Sequence, residues 1–585
     1  MTKQHIEQLL QQAVITLQES GELPETTPLF QVDATKDKAH GDFASNIALV
    51  LAKAAGKKPR ELATRLTEVL PPSSAIQKIE LAGPGFINFF LSSTALTDII
   101  KTVLNEKAHF GRSPMGDNKR VLVEFLSSNP TGPLHVGHGR HAAFGAVISN
   151  LLSAVGFNVY REYYVNDAGR QMDILATSIW LRYLGLCGET FTFPSNGYRG
   201  EYIIDIAKAI YDMHGTHFVE KAARVFEGLP YDEPEGGDKE VYIDAVVKRA
   251  KTLLGDKYPA IFTLGLNNIM ADIREDLTEF GVHYDNWFSE REFVKGDVVD
   301  RLLKTMESAG HVYEHDGALW FRSTEFQDEK DRVLVRSNGD KTYFANDVAY
   351  HLSKFERRFD IAIDIFGADH HGYVPRMKAA MQASHIDPER LVHVLVQFVT
   401  LYRNGKQVQM STRGGSFVTL RELREEVGND AARYFYVMRK ADQHMDFDLD
   451  LAKSQSNENP VYYVQYAHAR ICSVLRQLAG RELQFDEALG FAHLDRLVEP
   501  QERDLLNTMS RYPDMIVNAA LQYEPHQLTN YLREFAHYFH SYYNAHQILV
   551  DDNELRNARL ALMMAVKQIL LNGFELLGIS AKETM

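Results

Sequence analysis

The chain is short of cysteine, of long apolar runs and of positive charge. Only Cys187 and Cys472 occur in 585 residues. They lie far apart, so neither a disulfide framework nor a Cys/His zinc cluster is expected, and a reducing cytoplasm fits. No apolar run reaches the ~18 residues that a membrane-spanning helix needs. The opening MTKQHIEQLLQQAVITLQESGEL lacks the basic start, apolar core and small-residue cleavage site of a signal peptide. A formal net charge of −15 argues against a general coat of nucleic acid, though a local basic groove remains compatible with it. Two phosphate-binding signatures are missing as well. There is no GxxxxGK[ST] run, and Gly137-His138-Gly139 does not complete GxGxxG.

What is present is a chain too long for one core, and three or more domains are expected. Residues 1–110 read as a small α/β domain. A first helix covers about 2–20. A second, over 47–55, is expected to run on past Lys57-Lys58-Pro59-Arg60 to about 70. Segments 79–82 and 86–91 read as a hairpin whose second strand lies at a sheet edge. Lys53, Lys57, Lys58, Arg60 and Arg65 give this part a basic face, which on its own reads as a solvated helix surface. Residues 119–455 read as a Rossmann-like, doubly wound catalytic sheet. An insertion interrupts it over about 173–340, with strands expected again at 319–322, 332–336, 359–366 and 391–401. From 456 to 585 the helical periodicity predicts an all-α bundle.

The organising stretch is 121–165. An apolar strand over 121–126 leads into the turn-rich Ser127-Ser128-Asn129-Pro130-Thr131-Gly132-Pro133, then a helix that Gly156 stops, then a strand over 158–165. His135 and His138 stand at the start of that helix. Three residues apart, they face one way, where free N–H groups and the helix dipole favour a phosphate. The plainer reading is two loop histidines hydrogen-bonded to backbone. A second strand end, Gly367-Ala368-Asp369-His370-His371-Gly372, can line the same crevice, since ligands of open α/β sheets bind beyond the carboxyl ends of the strands. A polar, glycine-rich loop over 402–415 carries Lys406 and Arg413 and can close over a pyrophosphate.

SSNPTGPLHVGHGR followed by REYYVNDAG resembles the HIGH region of class I aminoacyl-tRNA synthetases, and more specifically of arginyl-tRNA synthetases. GDFASNIALVLAK, YFANDVAYHLSKFERRFD, FGADHHGYVPRMKAA, VQMSTRGGSFVTLREL, ADQHMDFDLDLA and SNENPVYYVQYAHARICSVLRQ agree with this, in the family's order and over nearly the whole chain. The resemblance implies ATP-dependent attachment of arginine to its tRNA through arginyl-adenylate, with Mg²⁺ on the ATP phosphates, by a cytoplasmic, monomeric, bacterial-type enzyme. It implies catalytic roles for His135, His138 and Arg413. ATP would be held by Asn129, Pro130, Thr131, Gly132, Pro133, Leu134, Val136, Gly137 and Gly139 together with both histidines. Gly367, Asp369, His370 and His371 would join them, as would Val408, Met410 and Ser411. Arginine would be held by Glu124, Ser127, Asn129, Tyr343 and Asp347, with Glu124 at the amino group and Tyr343 and Asp347 at the guanidinium. No protein-bound metal site is expected. From the residues alone, Asp347 also reads as the cap of a helix beginning at 348, Tyr343 as core packing and Asp369 as a helix cap.

The resemblance makes 1–110 a module for the outer corner of tRNA, which favours a binding role for its basic face. It makes 456–585 an anticodon-binding domain, in which Tyr462, Tyr466 and Arg470 are candidate tRNA contacts, against the alternative that tyrosines at helical spacing are core. One segment departs from the family. The KMSKS loop stands here as Gln409-Met410-Ser411-Thr412-Arg413, without either lysine, and the position where some relatives place a compensating lysine is Gly132. Cation support for the pyrophosphate then falls to Arg413, Lys406 or another residue. Two other classes compete on the residues: a different nucleotidyl-transferring enzyme on the same sheet, and a non-catalytic tRNA-binding protein.

Overall fold

Five short apolar segments build the central sheet of the computed structural model, which describes all residues except 1, 27, 36, 37 and 409–416. They are β1 (Arg120–Phe125), β2 (Asn158–Val165), β3 (Asn286–Ser289), β4 (Ile361–Gly367) and β5 (Leu391–Val396). Their order is β5-β4-β1-β2-β3 and every pairing is parallel, so the order reverses at β1. All of β1 from Val121 to Phe125 is buried, as a central strand covered on both faces must be. Helix α1 (Val136–Ala154) follows it so closely that Gly145 lies against the Phe125 ring. A Cβ at Gly145 would come 2.2 Å from Phe125 Cγ.

Three expectations about this sheet need correction. The stretch read as an insertion supplies β3, so sheet and insertion interleave. Its helical part spans Arg170–Leu186, Glu201–His214, Ala222–Phe226, Lys239–Leu254 and Tyr258–Glu279. The segments expected to resume the sheet near 319 and 332 instead form a separate three-stranded antiparallel sheet of Val312–His315, Ala318–Phe321 and Arg332–Val335. Apolar content marks a strand but not the sheet it joins. Finally, 391–401 is not one strand. The chain breaks after Val396 because the Gln397 carbonyl turns to accept from the buried Arg140 guanidinium at 2.7 Å, and Val399–Arg403 pairs elsewhere with Met445–Asp448.

Helix α2 (Tyr343–Glu356) lies over β4 and β1 and is capped by Thr342, whose hydroxyl accepts from Ala345 N–H. Asp347 is therefore one turn inside the helix and is not its cap. Helix α3 (Asn429–Val437) ties the parts together. Its Tyr436 hydroxyl donates to the Val136 carbonyl at the start of α1, and its Arg433 donates to the carbonyls of Phe280 and Leu577. Asp430 accepts from Gln465 of α4 (Pro460–Gly480), the first helix of the C-terminal bundle. The last long helix, α5 (Asn553–Leu577), is long and apolar enough in mean composition to cross a membrane, although it holds no unbroken run of ~18 apolar residues. Yet 72% of its apolar window is buried inside the structure, as the core of a helical bundle requires.

In the N-terminal part, strands Val32–Ala34, Phe43–Ser45, Phe86–Leu91 and Ile76–Ala82 lie side by side in that order. Phe86–Leu91 is thus internal, and Ile76–Ala82 takes the edge that was expected of it. The helix expected to run from 47 to 70 is two, Ile47–Ala55 and Pro59–Glu68. Gly56 turns left-handed (φ 61°) and Pro59 starts the second. Of the basic face, Lys57 and Arg65 are held by Glu22 at 2.6 and 2.9 Å, and Lys53, Lys58 and Arg60 are exposed.

Gly145→Ala is expected to force α1 off β1 and lower stability by about 1–3 kcal/mol. Thermal denaturation measures this, and an unchanged melting temperature would show that the helix can shift without penalty.

Candidate active site

The chain leaves β1 through two residues with left-handed backbone, Leu126 (φ 70°) and Ser127 (φ 39°), conformations that non-glycine residues adopt only where their surroundings hold them. Here the Ser127 hydroxyl donates to Glu124 Oε1 at 3.1 Å and accepts from Tyr164 N–H at 3.0 Å. Asn129 follows, its side-chain amide bridging Gln171 and Asn166 at 2.9 and 3.0 Å.

At the start of α1, His135 is the helix cap. Its Nδ1 accepts from the N–H groups of Gly137 (3.1 Å) and His138 (3.4 Å), while His138 Nδ1 accepts from His135 N–H at 3.2 Å. The expected free N–H groups are thus already satisfied, which corrects the helix-terminus reading. The cap has a second effect. A backbone N–H can only donate, so both Nδ1 atoms are acceptors and the hydrogen of each neutral ring sits on Nε2. The rings stack with centroids 3.5 Å apart. Burial, with His141 adding to it, pushes His135 down to about 4; burial also holds His138 well below its usual range. Near neutral pH both are uncharged donors.

Beneath them a polar row crosses the sheet. His393, Asp364, Glu124, Glu162 and Asn286 sit at matched register on β5, β4, β1, β2 and β3. Its three carboxylates are buried. Their counter-charges come from α2 and the residue that closes it. Lys354 Nζ lies 2.7 Å from Glu124 Oε2 and 2.6 Å from Asp364 Oδ1, and Arg357 reaches Glu162 at 2.5 and 2.9 Å. His351 bridges the Asp347 carbonyl and Asp364 Oδ2, and the Tyr350 hydroxyl lies 2.8 Å from both Glu124 and Glu162. Burial alone would raise Asp364, but Lys354 and His351 outweigh it and hold the carboxyl below its ordinary value. The side chains of His351, Asp364 and His393 come within 4.8 Å of one another. Asp364 shares the Lys354 ammonium with Glu124 and is hydrogen-bonded to His351, so the cluster is part of the ion-pair network of this row.

A cavity of about 560 Å³ opens above the row. Its lining includes Glu124, Ser127, Asn129, His135, Gly137 and His138 together with Asp347, Tyr350, His351, Phe366, Gly367, Asp369, His370 and Tyr373. Beside Asp347 lies an acidic corner. Glu290, almost wholly buried, is pushed up to about 7 by burial and then by the charges of Asp347 and Asp167. Burial likewise raises Asp347. Such a corner is short of one positive charge.

Three family models match the chain: the arginyl tRNA synthetase N-terminal domain over 3–91, the class I (R) tRNA synthetase catalytic domain over 99–184 and 255–457, and the DALR anticodon binding domain over 464–585. The arginine–tRNA ligase of Thioalkalivibrio sulfidiphilus is 58% identical over 585 residues, covering all of both chains. That of Legionella pneumophila is 57% identical over 582 residues, 99% of each. The chain belongs to the arginyl-tRNA synthetases. The arginyl-tRNA synthetase of Thermus thermophilus, at 24% identity, shares the fold over the full length of both chains with a TM-score of 0.76.

The cavity of this synthetase gathers many of the residues singled out in sequence, but not all. Pro130, Thr131, Gly132 and Pro133 lie outside its lining, with Thr131 accepting from the Tyr202 hydroxyl of the insertion. Leu134 and Val136 are core residues, and Gly139 packs against Leu420 and Tyr436. His371 is exposed and off the lining, and Val408 is bonded to Leu401 in a small hairpin. Tyr343 is 65% exposed and stands outside the lining, so it is neither core nor in the cavity. Asp369 does not cap its helical turn, where Gly367 takes that place. Met410, Ser411 and Arg413 fall outside the described residues. On α4, Tyr462 and Tyr466 stack at 5.9 Å and Arg470 lies 4.6 Å over Tyr466, all three half-buried on one face.

Sequence reasoning missed Tyr350, His351, Lys354, His141 and Glu290. The first three follow Asp347 at helical spacing and were legible as one stripe. Nothing local distinguished Glu290.

Glu290 generates a linkage prediction. Its folded value, about 7, exceeds the ordinary ~4.3. The protonated form therefore stabilises the fold, and that stability is lost as pH rises from ~4.3 through 7. Glu290→Gln is expected to be more stable than wild type by up to about 3 kcal/mol at pH 8 and by about 1 kcal/mol at pH 5, read from denaturant titrations at both.

Proposed function

We infer that this cavity binds arginine beside ATP and joins them, and that the enzyme then passes the arginyl group to tRNA(Arg). The observation that carries the reading is one cavity that brings unlike groups together: the paired neutral imidazole donors His135 and His138, and the carboxylate of Asp347, which has the buried Glu290 as its electrostatic neighbour. A guanidinium offers fixed, forked donors that two carboxylates can meet, so Asp347 and Glu290 take the substrate side chain. Glu124 Oε1 takes its α-ammonium, supported by Ser127. Asn129 orients the reacting carboxylate.

The substrate carboxylate attacks the α-phosphate of ATP, and pyrophosphate leaves with the bond it breaks. The Nε2–H groups of His135 and His138 donate to the phosphate oxygens as charge builds there. Mg²⁺ enters with ATP as part of the substrate and neutralises its phosphates. A hydroxyl of the terminal adenosine of tRNA then attacks the arginyl carbonyl and releases AMP. Lys406 and Arg413 are the cations assigned to the pyrophosphate. Tyr462, Tyr466 and Arg470 present ring faces and a guanidinium suited to stacking unpaired bases. The exposed Lys53, Lys58 and Arg60 offer the N-terminal module's contact to the tRNA backbone. In this reading the enzyme works as a monomer in the cytoplasm.

The test is arginine-dependent charging of tRNA with ATP. His138→Ala is expected to lower turnover about 10²–10³-fold while tRNA affinity is unchanged. Wild-type protein that binds tRNA without charging it would defeat the enzyme reading. Because arginine pairs with ionised Glu290, kcat/KM for arginine should rise with pH through about 7. Glu290→Gln should flatten that rise and raise KM for arginine about ten- to a hundred-fold. A wild-type profile in the variant would remove Glu290 from the guanidinium site.

A further inference from the structure

Glu124 is a poor ligand when considered alone. Its register neighbours are Asp364 on one side and Glu162 on the other, all three buried. Such a carboxylate would take up a proton or be repelled, unless a cation lies in the same row. Lys354 is that cation. Its side chain is wholly buried, and its ammonium touches Glu124 Oε2 and Asp364 Oδ1 together. It also lies 4.5 Å over the Tyr350 ring, whose hydroxyl reaches the same Glu124 oxygen. Oε2 is thus fully engaged by protein. Among the described residues Oε1 has only the Ser127 hydroxyl, and Glu124 and Ser127 both line the cavity.

We propose that Lys354 is a positioning residue for arginine: by pinning Glu124 Oε2 it turns Oε1 alone toward the substrate α-ammonium. The proposal rests on the assignment of Glu124 to that ammonium. Lys354 makes no contact with the cavity itself and acts only through Glu124. It also stands seven residues, about 10 Å, along α2 from Asp347. One helix therefore sets both the acceptor for the ammonium and the acceptor for the guanidinium, and fixes the span between them.

The test uses the full-length enzyme with arginine, ATP and tRNA. In Lys354→Met, KM for arginine should rise about ten- to a hundred-fold, with KM for ATP within about two-fold. The decisive probe is 5-guanidinopentanoate, which is arginine without its α-amino group. Its inhibition constant should stay within about two-fold of wild type, because it makes no use of Glu124. An unchanged KM for arginine would overturn the proposal. So would equal losses for arginine and the inhibitor, which mark a general structural role. If Lys354→Met does not fold, Tyr350→Phe decides. It removes one partner of Oε2 without stranding a charge, and the same split should appear at about three- to ten-fold. Glu124→Gln separates the two levels of inference. If it leaves KM for arginine unchanged, the ammonium assignment itself fails, whatever Lys354 does.

Discussion

Glu162, Glu124 and Asp364 stand side by side on three adjacent parallel strands, buried and at matched register. Neighbouring strands lie about 4.8 Å apart, so three negative charges in a row would unmake the sheet unless cations come from the same face. Helix α2 brings them: Lys354 serves Glu124 and Asp364, and Arg357 serves Glu162. The geometry leaves little freedom. Lys354 and Arg357 are three residues apart, one turn of helix, and each must meet its own strand. A rotation of α2 or a slip of one strand by one residue would leave a charge buried and unpaired, at a cost of about 3–5 kcal/mol. The position of α2, and with it Asp347, follows from satisfying this row.

The same economy governs the other end of the cavity. His135 and His138 serve the helix start and the cavity together: each Nδ1 takes a backbone N–H, which fixes the remaining hydrogen on Nε2. Their position depends on contacts well away from the cavity. Tyr436 of α3 holds the Val136 carbonyl, while Asp430 and Arg433 of the same nine-residue helix hold the bundle. The donors and the C-terminal domain thus share one rigid support.

Much of this was legible in sequence where a local pattern carries the information. The strand–loop–helix at 121–154, the His pair and the helical bundle each announce themselves by spacing. Glu124 was conspicuous as a charge in an apolar strand, although the reason includes a structural one: it belongs to a row that four other strands complete. What could not be read were pairings between distant segments. Nothing in Asn286–Ser289 says that it joins β2, and nothing in 319–335 says that it does not join the sheet. Glu290 was invisible for the same reason, since its environment is made by Asp347 and Asp167 from other elements. Arg140 broke an apparently continuous strand from a position more than 250 residues earlier in the chain.

Charge balance then limits where the remaining catalytic charge can come from. Arginine brings two positive groups and one negative, and in the proposed reading the acidic corner and Glu124 are matched to the positive ones. ATP brings several negative charges to the end of the cavity where His135 and His138 stand, and both rings are neutral because burial disfavours their charged form. They can direct hydrogen bonds but cannot offset net charge. Lys354 cannot help, because its ammonium is spent within the sheet. In the proposed reading, the charge that the leaving pyrophosphate demands therefore falls to the metal that accompanies ATP and to Lys406, Arg413 or another cation outside the sheet. A family loop that has lost both lysines is thus left with its electrostatic task undiminished, and within Gln409–Arg413 the one basic residue is Arg413.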